Sequence, residues 1–552
     1  MPSAHTLSSN REAGGQSLWS ALLVFLAAVV VLGWRVGASP LSGTEGHRAI
    51  TAHQMLQSGE YLVPKLYGYT YLKKPPLDYW ILAGFERVLG ASEWVWRLPS
   101  VLAAGLLAAA LVLFSGRWFG RTAGWVSGVA YLAMVPLWSQ TRSADIDSLN
   151  SLATNLAVLV LVDLIWFSDS SGLGRRGAMA LLGAVAMASG LMLKGPACLP
   201  LVIGLLIGSS ILNRSPKPFS TLWVYIILLL GFAVLVAWYG STRSIIAAQG
   251  LVPDPGGEDE AMRRMLIHNW NQVLPALLLG PMVFLYMLPV SAGIVVPFLP
   301  LVNQKLQGAQ RLVARSLAGA VIVAFVICFI SGMDNPRYAY LYVVPVCPLV
   351  GVVAELWRRG ELTKTTRAIF GTILLATCAA MGMAAIVLMV MTGRLTQWNP
   401  PLISAIAMTG IVAVVAIVAW HRNAYRAGVI GLTVLLVFGA LAFGEYKNRE
   451  RAGRSAYQAA QQLRQLIGNG TPIATWYTVW AQPELFYYAD ADAKPMPIDE
   501  LRKLDHGWML LFRDRDRNPD EWEKVLGLKE RSSSQGHVIK LNKAEALVIH
   551  RD

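Results

Sequence analysis

Residues 42–99 read SGTEGHRAITAHQMLQSGEYLVPKLYGYTYLKKPPLDYWILAGFERVLGASEWVWRLP, a polar, patterned loop set between two apolar spans. Ser42 followed three residues on by Glu45 is the pattern of a capping box, so a short helix is expected to open there and to end at Gly59. The loop carries a carboxylate (Glu45), two histidines (His47, His53), several tyrosines, and Lys73-Lys74 ahead of Pro75-Pro76. The prolines restrict the backbone beside the lysines and hold their positions. Opposite charges on a stiff loop at a membrane surface are the equipment of a binding or catalytic site.

The rest of the chain says why the loop lies at a membrane. It has 552 residues, of which 55% are hydrophobic, with a mean hydropathy of +0.48. Apolar runs recur at the length that crosses a bilayer core, and we count about thirteen of them. They lie near 17–37, 97–115, 121–139, 148–167, 177–193, 196–212, 220–240, 273–300, 312–331, 338–356, 367–391, 400–420 and 426–444. The first, without a small-residue cleavage site, reads as an anchor and not as a removed leader. The expected fold class is therefore an all-α polytopic membrane protein. The polar tail, with short apolar runs at 508–512 and 546–550, reads as a small C-terminal α/β domain. The expected boundaries are 1–444 for the membrane domain, with the first outer loop at 38–96 bearing amphipathic helices, and 445–552 for the tail.

The formal charge of +14 is loop lysine and arginine that set topology, and it does not point to nucleic acid. Arg117 and Arg121, Arg175 and Arg176, Arg214 and Lys217, Lys305, Arg311 and Arg315, Arg358, Arg359, Lys364 and Arg367, and Arg422 and Arg426 occupy alternate loops. The positive-inside rule assigns those loops to the cytoplasm, and parity puts the 42–96 loop, the 142–148 turn, Lys194, the 241–272 loop, the 334–337 turn and the tail outside. Cys198, Cys328, Cys347 and Cys378 all fall in or beside apolar spans without metal spacing, so no disulfide framework is implied.

Every chemically loaded loop thus lies on one face. Glu45 reads equally well as a helix cap and as a catalytic carboxylate. TRSADIDS places Arg142, Asp145 and Asp147 at the mouth of a span, where a functional carboxylate and a solvated turn both fit. Lys194, in MLKGPACLP, either snorkels or meets an anion. Arg337-Tyr338, in DNPRYAYLYVVP, offers a guanidinium suited to a phosphate. His47, His53 and His268 read as surface residues, six-residue spacing being wrong for a helical metal pair. With no glycine-rich phosphate loop, nucleophile elbow or CxxC in the chain, a nucleotide-using cytoplasmic catalyst is not indicated. A lipid phosphate, tail in the bilayer and head in the loops, is the activated substrate that such a face could hold. Cations would stabilise it as it leaves, and a carboxylate would take a proton from the attacking group.

In order, the motifs TEGHRAITAHQMLQSGEYLVP, GYTYLKKPPLDYW, RLPS, TRSADIDS, LKGP and PRYAYLYVVP resemble those of the C-type membrane glycosyltransferases that use polyprenyl-phosphate sugars. The likeness runs over residues 40–350 and is strongest to the branch of lipid A aminoarabinose transferases and protein O-mannosyltransferases. It implies the GT-C fold and an inverting hexosyl- or pentosyltransferase of the bacterial inner membrane, with its site and tail on the extracytoplasmic face. It further implies a polyprenyl-phosphate sugar donor, a hydroxyl or phosphate of a lipid, glycan or protein as acceptor, and membrane lipids as neighbours. The family's acidic pair in the first loop reads Thr44-Glu45 here, so Glu45 and Asp147 are the implied catalytic carboxylates. Tyr71 and Lys74 match the donor-phosphate Tyr-x-x-Lys, and Lys194, Arg337 and Tyr338 match positions lining the lipid-phosphate cavity. Lys73, Asp145 and Arg142 are accessory candidates, and the cation of the 241–272 loop falls at Arg263 or Arg264. Lys73 stands where aminoarabinose transferases carry a glutamate linked to a metal site, so no metal ligand is carried over, although a divalent cation is compatible with the chemistry. The alternative is a lipid-linked sugar transporter. Transporters favour broken helices and internal repeats around midplane sites, whereas these charges gather at one face. A third reading is a lipid-phosphate-binding factor with a decayed site, which Thr44 favours.

Overall fold

The computed structural model describes residues 4–167, 172–251, 277–284, 287, 290–331, 336–365, 441, 444, 447–448, 450–451, 456–475, 482–514, 536–541 and 544–551. The expected spans at 367–391 and 400–420, most of 426–444, and Arg263, Arg264, His268 and Cys378 lie outside the described residues. The described residues are mostly helical and include six candidate spans long and apolar enough to cross a membrane, Glu93–Phe119, Ile146–Phe167, Leu173–Asn213, Leu222–Gln249, Gly308–Ile330 and Tyr340–Arg358. It is an integral membrane protein.

The helices that frame the site are α1 (Ala4–Gly33), α2 (Thr44–Ser58), α3 (Leu77–Leu89), α4 (Glu93–Phe119), α5 (Arg121–Leu132), α6 (Val135–Gln140), α7 (Ile146–Phe167), α8 (Leu173–Lys194), α9 (Leu199–Asn213), α10 (Leu222–Gln249), α11 (Gly308–Ile330), α12 (Pro336–Val343) and α13 (Cys347–Arg358). The expected span at 121–139 is broken. Pro136 in the first turn of α6 cannot continue the ladder of α5, and the two helices meet at Ala133-Met134. The 41-residue segment Leu173–Asn213 folds back on itself. In a continuous helix residues 190 and 198 would lie about 12 Å apart, yet a Cβ on Gly190 would stand 3.2 Å from that of Cys198. The reversal is made at Gly195, whose φ of +61° only glycine adopts cheaply, followed by Pro196. Lys194 is thereby held at the tip of a helical hairpin.

Small residues bring α9 and α11 backbone to backbone. A Cβ on Gly208 would sit 2.2 Å from the Gly319 carbonyl oxygen, and one on Gly204 2.3 Å from that of Ala320. Such contact is how helices associate in lipid, where apolar burial gives little preference for protein over acyl chain.

The first outer loop forms the expected short helix, but Gly43 and not Ser42 is its N-cap and no side-chain cap bond forms there; of the expected capping box only the Ser42 N–H to Glu45 bond is present. Gly59 closes α2 in the left-handed conformation, its N–H bonding the Met55 carbonyl. Between α2 and α3 a two-residue hairpin pairs β1 (Lys65–Leu66) with β2 (Tyr69–Thr70). Both turn residues, Tyr67 and Gly68, have positive φ, as this tight hairpin type demands. The tail carries α14 (Tyr457–Ile467), β3 (Pro472–Thr475), α15 (Pro483–Ala489), β4 (Asp492–Pro495), β5 (Gly507–Asp514), β6 (His537–Lys540) and β7 (Ala544–Arg551). The strands form one mixed sheet in the order β4-β3-β5-β7-β6, with β3 parallel to β4 and β5. Ala460, Leu463, Phe486, Leu510 and Val548 form the core on one face of it, and Met509, Leu511, Leu547 and Ile549 that on the other.

Candidate active site at the outer loops

Glu45 lies in the first turn of α2 and is 2% exposed. Oε1 accepts from Arg97 Nε at 2.8 Å and from the Ala144 N–H at 3.0 Å; Oε2 accepts from Arg97 Nη2 at 3.0 Å and the Ser42 N–H at 3.2 Å. A carboxylate offers about four lone-pair positions, and here they are spent. Burial alone would raise its pKa, but Arg451, 3.7 Å away, and Arg97 more than offset this and hold it below the usual carboxylate range. Of the two readings of Glu45, this geometry fits the one in which it holds structure together. As the expected proton acceptor it has no open position for substrate.

Arg97 was hidden inside the RLPS motif and proves central. Fully buried, it also donates from Nη1 to the carbonyls of Val36 and Ser39, each at 2.8 Å, and from Nη2 to that of Pro40 at 3.0 Å. It ties the exit of α1, the start of α2 and the 142–148 turn into one unit. Arg142, a candidate accessory cation, serves the same framework. Its Nη1 and Nη2 donate to the carbonyls of Leu32 and Arg35 at 3.1 and 3.3 Å, and its own carbonyl accepts from Arg451.

The residues that face one another beyond this clamp come from four separate loops. Thr44 Oγ1 donates to Asp145 Oδ2 at 2.7 Å, joining the first loop to the 142–148 turn. Asp145 Oδ1 accepts the Ile146 N–H at 2.8 Å and lies 4.0 Å from Arg48 Nε. Asp147, in the first turn of α7, forms a buried ion pair with Lys194 at the hairpin tip. Tyr340 of α12 donates its hydroxyl to the Asp147 carbonyl at 2.9 Å, and Tyr342 to that of Ala197 at 2.8 Å. The helix that bears Arg337 and Tyr338 is thus fastened beside Asp147 and Lys194; the side chains of Arg337 and Tyr338 themselves lie outside the described residues. Tyr71 is buried and stacks on His47 with ring centroids 5.8 Å apart, and Lys73 Nζ stands 6.0 Å from the Tyr71 ring centroid. Lys74 is half-buried just before α3.

Two residues of the first loop went unmarked in the sequence. Arg48 donates to the Tyr79 hydroxyl at 2.5 Å. Asp78 is 0% exposed, with neither carboxylate oxygen hydrogen-bonded. Burial lifts its pKa to about 7 against the attraction of Arg48, with Asp145 and Asp147 adding to the rise. The signal was present: an aspartate in the first turn of a helix, directly after a double proline. It reads as an ordinary helix-start acid until the fold buries it. The histidines are also less peripheral than the sequence suggested, since His53 is paired with Glu86 and set edge-on to Tyr487 of α15.

That last contact belongs to a seam where the tail docks on the first loop. Tyr67 donates to the Pro483 carbonyl at 2.9 Å, and the Tyr488 hydroxyl accepts the Leu41 N–H at 2.7 Å and donates to Glu93 at 2.9 Å. Glu484 presses on Gly46, where a Cβ would come within 2.6 Å of its Oε2. Among the described residues, no three His, Cys, Asp or Glu side chains gather as a metal site.

Residues 73–239 match the family described as dolichyl-phosphate-mannose-protein mannosyltransferase. An undecaprenyl phosphate-α-4-amino-4-deoxy-L-arabinose arabinosyl transferase of Serratia proteamaculans is 26% identical over 74% of this chain and 73% of its own. One of Pseudomonas fluorescens is 30% identical over 28% of this chain. The matches to Pseudomonas relatives are local, and the chain spans only 27% to 28% of their length. The crystal structure of ArnT from Cupriavidus metallidurans superposes with a TM-score of 0.71 at 17% identity, covering 96% of this chain and 97% of that one. The same protein bound to undecaprenyl phosphate gives 0.69 at 18% identity. In its motifs, its relatives and its fold, the chain resembles the C-type membrane glycosyltransferases of the aminoarabinose and O-mannosyl transferase branch.

Proposed function

We propose that the chain is an inverting glycosyltransferase that moves a sugar from an undecaprenyl-phosphate carrier to an acceptor of the cell envelope, lipid A or another glycolipid, a wall glycan or a protein. The observation that carries this reading is the convergence of Thr44, Asp145, Asp147 and Lys194, from three loops far apart in the chain, at one end of an ArnT-like helix bundle. Cations and carboxylates are alternated there, as a transfer needs that releases a phosphate on one side and a proton on the other.

In the proposed arrangement the prenyl tail lies between spans and its phosphate meets Lys74, Lys194 and Arg337, with Tyr71 and Tyr338 beside it. Negative charge grows on the phosphate oxygen as the bond to the sugar breaks, and fixed cations stabilise it most when water is excluded. Asp147 holds Lys194 in place until the anion arrives. Glu45, through Arg97, sets the geometry of the first loop. Lys73, with its stem against Tyr71, is an accessory cation at the rim. The site and the tail, taken as residues 445–552, stand on the extracytoplasmic face of the inner membrane, above a membrane domain of residues 1–444 with about thirteen spans.

The test compares envelope lipids and glycans by mass spectrometry in the host with and without the gene. Loss of one hexose, pentose or amino-sugar mass from one species supports transfer and names donor and acceptor. An unchanged glycan profile with accumulated lipid carrier refutes it and favours transport.

A further inference from the structure

Two unmet polar groups of the first loop lie within electrostatic reach of each other. Asp78 presents two buried carboxylate oxygens without a donor, and Arg48 presents a buried Nε–H without an acceptor. Buried groups of this kind normally find partners, and leaving a charged one unsatisfied is costly. The surroundings do not supply them. Arg48 spends Nη1 on Tyr79, and Asp145 has Thr44 and its neighbour's N–H. Lys194 is taken by Asp147. The missing partner is a group that both donates and accepts.

Charge narrows its chemistry. Asp78 feels Asp145 and Asp147 as well as Arg48. A phosphate would add negative charge beside three aspartates. A neutral hydroxyl satisfies both open groups at once, donating to Asp78 and accepting from Arg48.

Resting on the glycosyltransferase reading, we infer that Asp78 is the proton acceptor of the reaction and that the acceptor group is a hydroxyl oriented by Arg48. The hydroxyl oxygen bonds to the anomeric carbon of the sugar. The bond from that carbon to the carrier phosphate oxygen breaks, its electron pair leaving on the phosphate, and the hydroxyl proton passes to the Asp78 carboxylate. Thr44 has no carboxylate, and its hydroxyl steadies Asp145; the carboxylate that the chemistry requires is provided one helix away. Burial sets Asp78 near neutrality, where a base accepts a proton most effectively at physiological pH.

The experiment uses the purified full chain, total radiolabelled polyprenyl-phosphate sugars extracted from the deletion host, and that host's envelope as acceptor. Transfer is followed from pH 5.5 to 9, and binding of undecaprenyl phosphate alone is read by thermal shift. The inference expects wild-type transfer to fall below about pH 7, a product stable to mild acid as a glycoside, and an Asp78→Asn protein that binds undecaprenyl phosphate normally but transfers on the order of 10²- to 10⁴-fold more slowly. Asp78→Glu should regain part of the rate. Undiminished transfer by Asp78→Asn overturns the assignment of Asp78, and loss of carrier binding together with transfer makes the residue structural and overturns it equally. A mild-acid-labile glycosyl phosphate overturns the hydroxyl acceptor. No transfer by the wild type refutes the glycosyltransferase reading itself.

Discussion

Glu484 offers a measurable handle on how the tail is held to the first loop. Its side chain is 1% exposed and its Oε2 has no hydrogen-bond partner. Burial, with Glu45 adding to it and the N–H groups of Glu484 itself and Gly43 giving partial relief, raises its pKa from 4.5 to about 8. At about 1.4 kcal/mol per unit, keeping this carboxylate ionised in the docked state costs roughly 5 kcal/mol, an order-of-magnitude figure. The sign follows from the direction of the shift. A folded-state pKa above the unfolded value gives stability that is complete below about pH 4 and is lost as pH rises through about 8. Wild-type docking should therefore weaken from about pH 5 to about pH 8 and level off above that. Glu484→Gln removes the charge at nearly constant shape and should flatten that dependence, leaving the variant the more stable protein at pH 9. The assay is amide hydrogen exchange of peptides 40–58 and 483–489 in detergent, with thermal unfolding recorded in parallel. If the two proteins show the same pH dependence, the buried Glu484 does not control the seam, and the docking argument fails.

Three further outcomes follow from the geometry. Arg97→Ala strips the buried Glu45 of its two shortest charge-assisted bonds, leaving Arg451 at 3.7 Å as its cation, and should cost about 3–5 kcal/mol, seen as a lowered melting temperature and exchange throughout residues 36–58; a stable variant would refute the clamp. Lys194→Ala should weaken undecaprenyl phosphate binding about tenfold or more, consistent with loss of a charge-assisted contact, as titration by intrinsic fluorescence would detect; unchanged affinity would remove Lys194 from the phosphate site. Gly208→Leu forces a side chain into the Gly319 backbone, only 2.2 Å from the first added carbon, and should abolish recovery of folded protein by size-exclusion chromatography, whereas Leu206→Ala on the same helix should be recovered normally.

Much of the organisation was legible in the residues themselves. Apolar run length reports membrane spans because a bilayer core has a fixed thickness, and the end of α2 at Gly59 follows from local backbone energetics. Asp147 and Lys194 could be singled out as candidates, because an ion at a span's mouth is either solvated or functional. Parity put these loops on one face, since each crossing returns the chain to the other face, but not which residues would meet there.

What tertiary packing alone decided is which charges are spent on structure and which are left for chemistry. Glu45 and Arg142 looked like site residues, but Arg97, the Ala144 N–H and the carbonyls of Leu32 and Arg35 absorb them. Asp78 looked like an ordinary helix-start acid, yet the fold buries it beside Arg48 without a hydrogen bond. Local pattern records that a residue can be charged; only the three-dimensional arrangement records whether its partners are already supplied. The free energy of a buried charge depends on neighbours a hundred or more residues away, as Asp145 with Thr44 and Asp147 with Tyr340 illustrate, and no window along the sequence contains them.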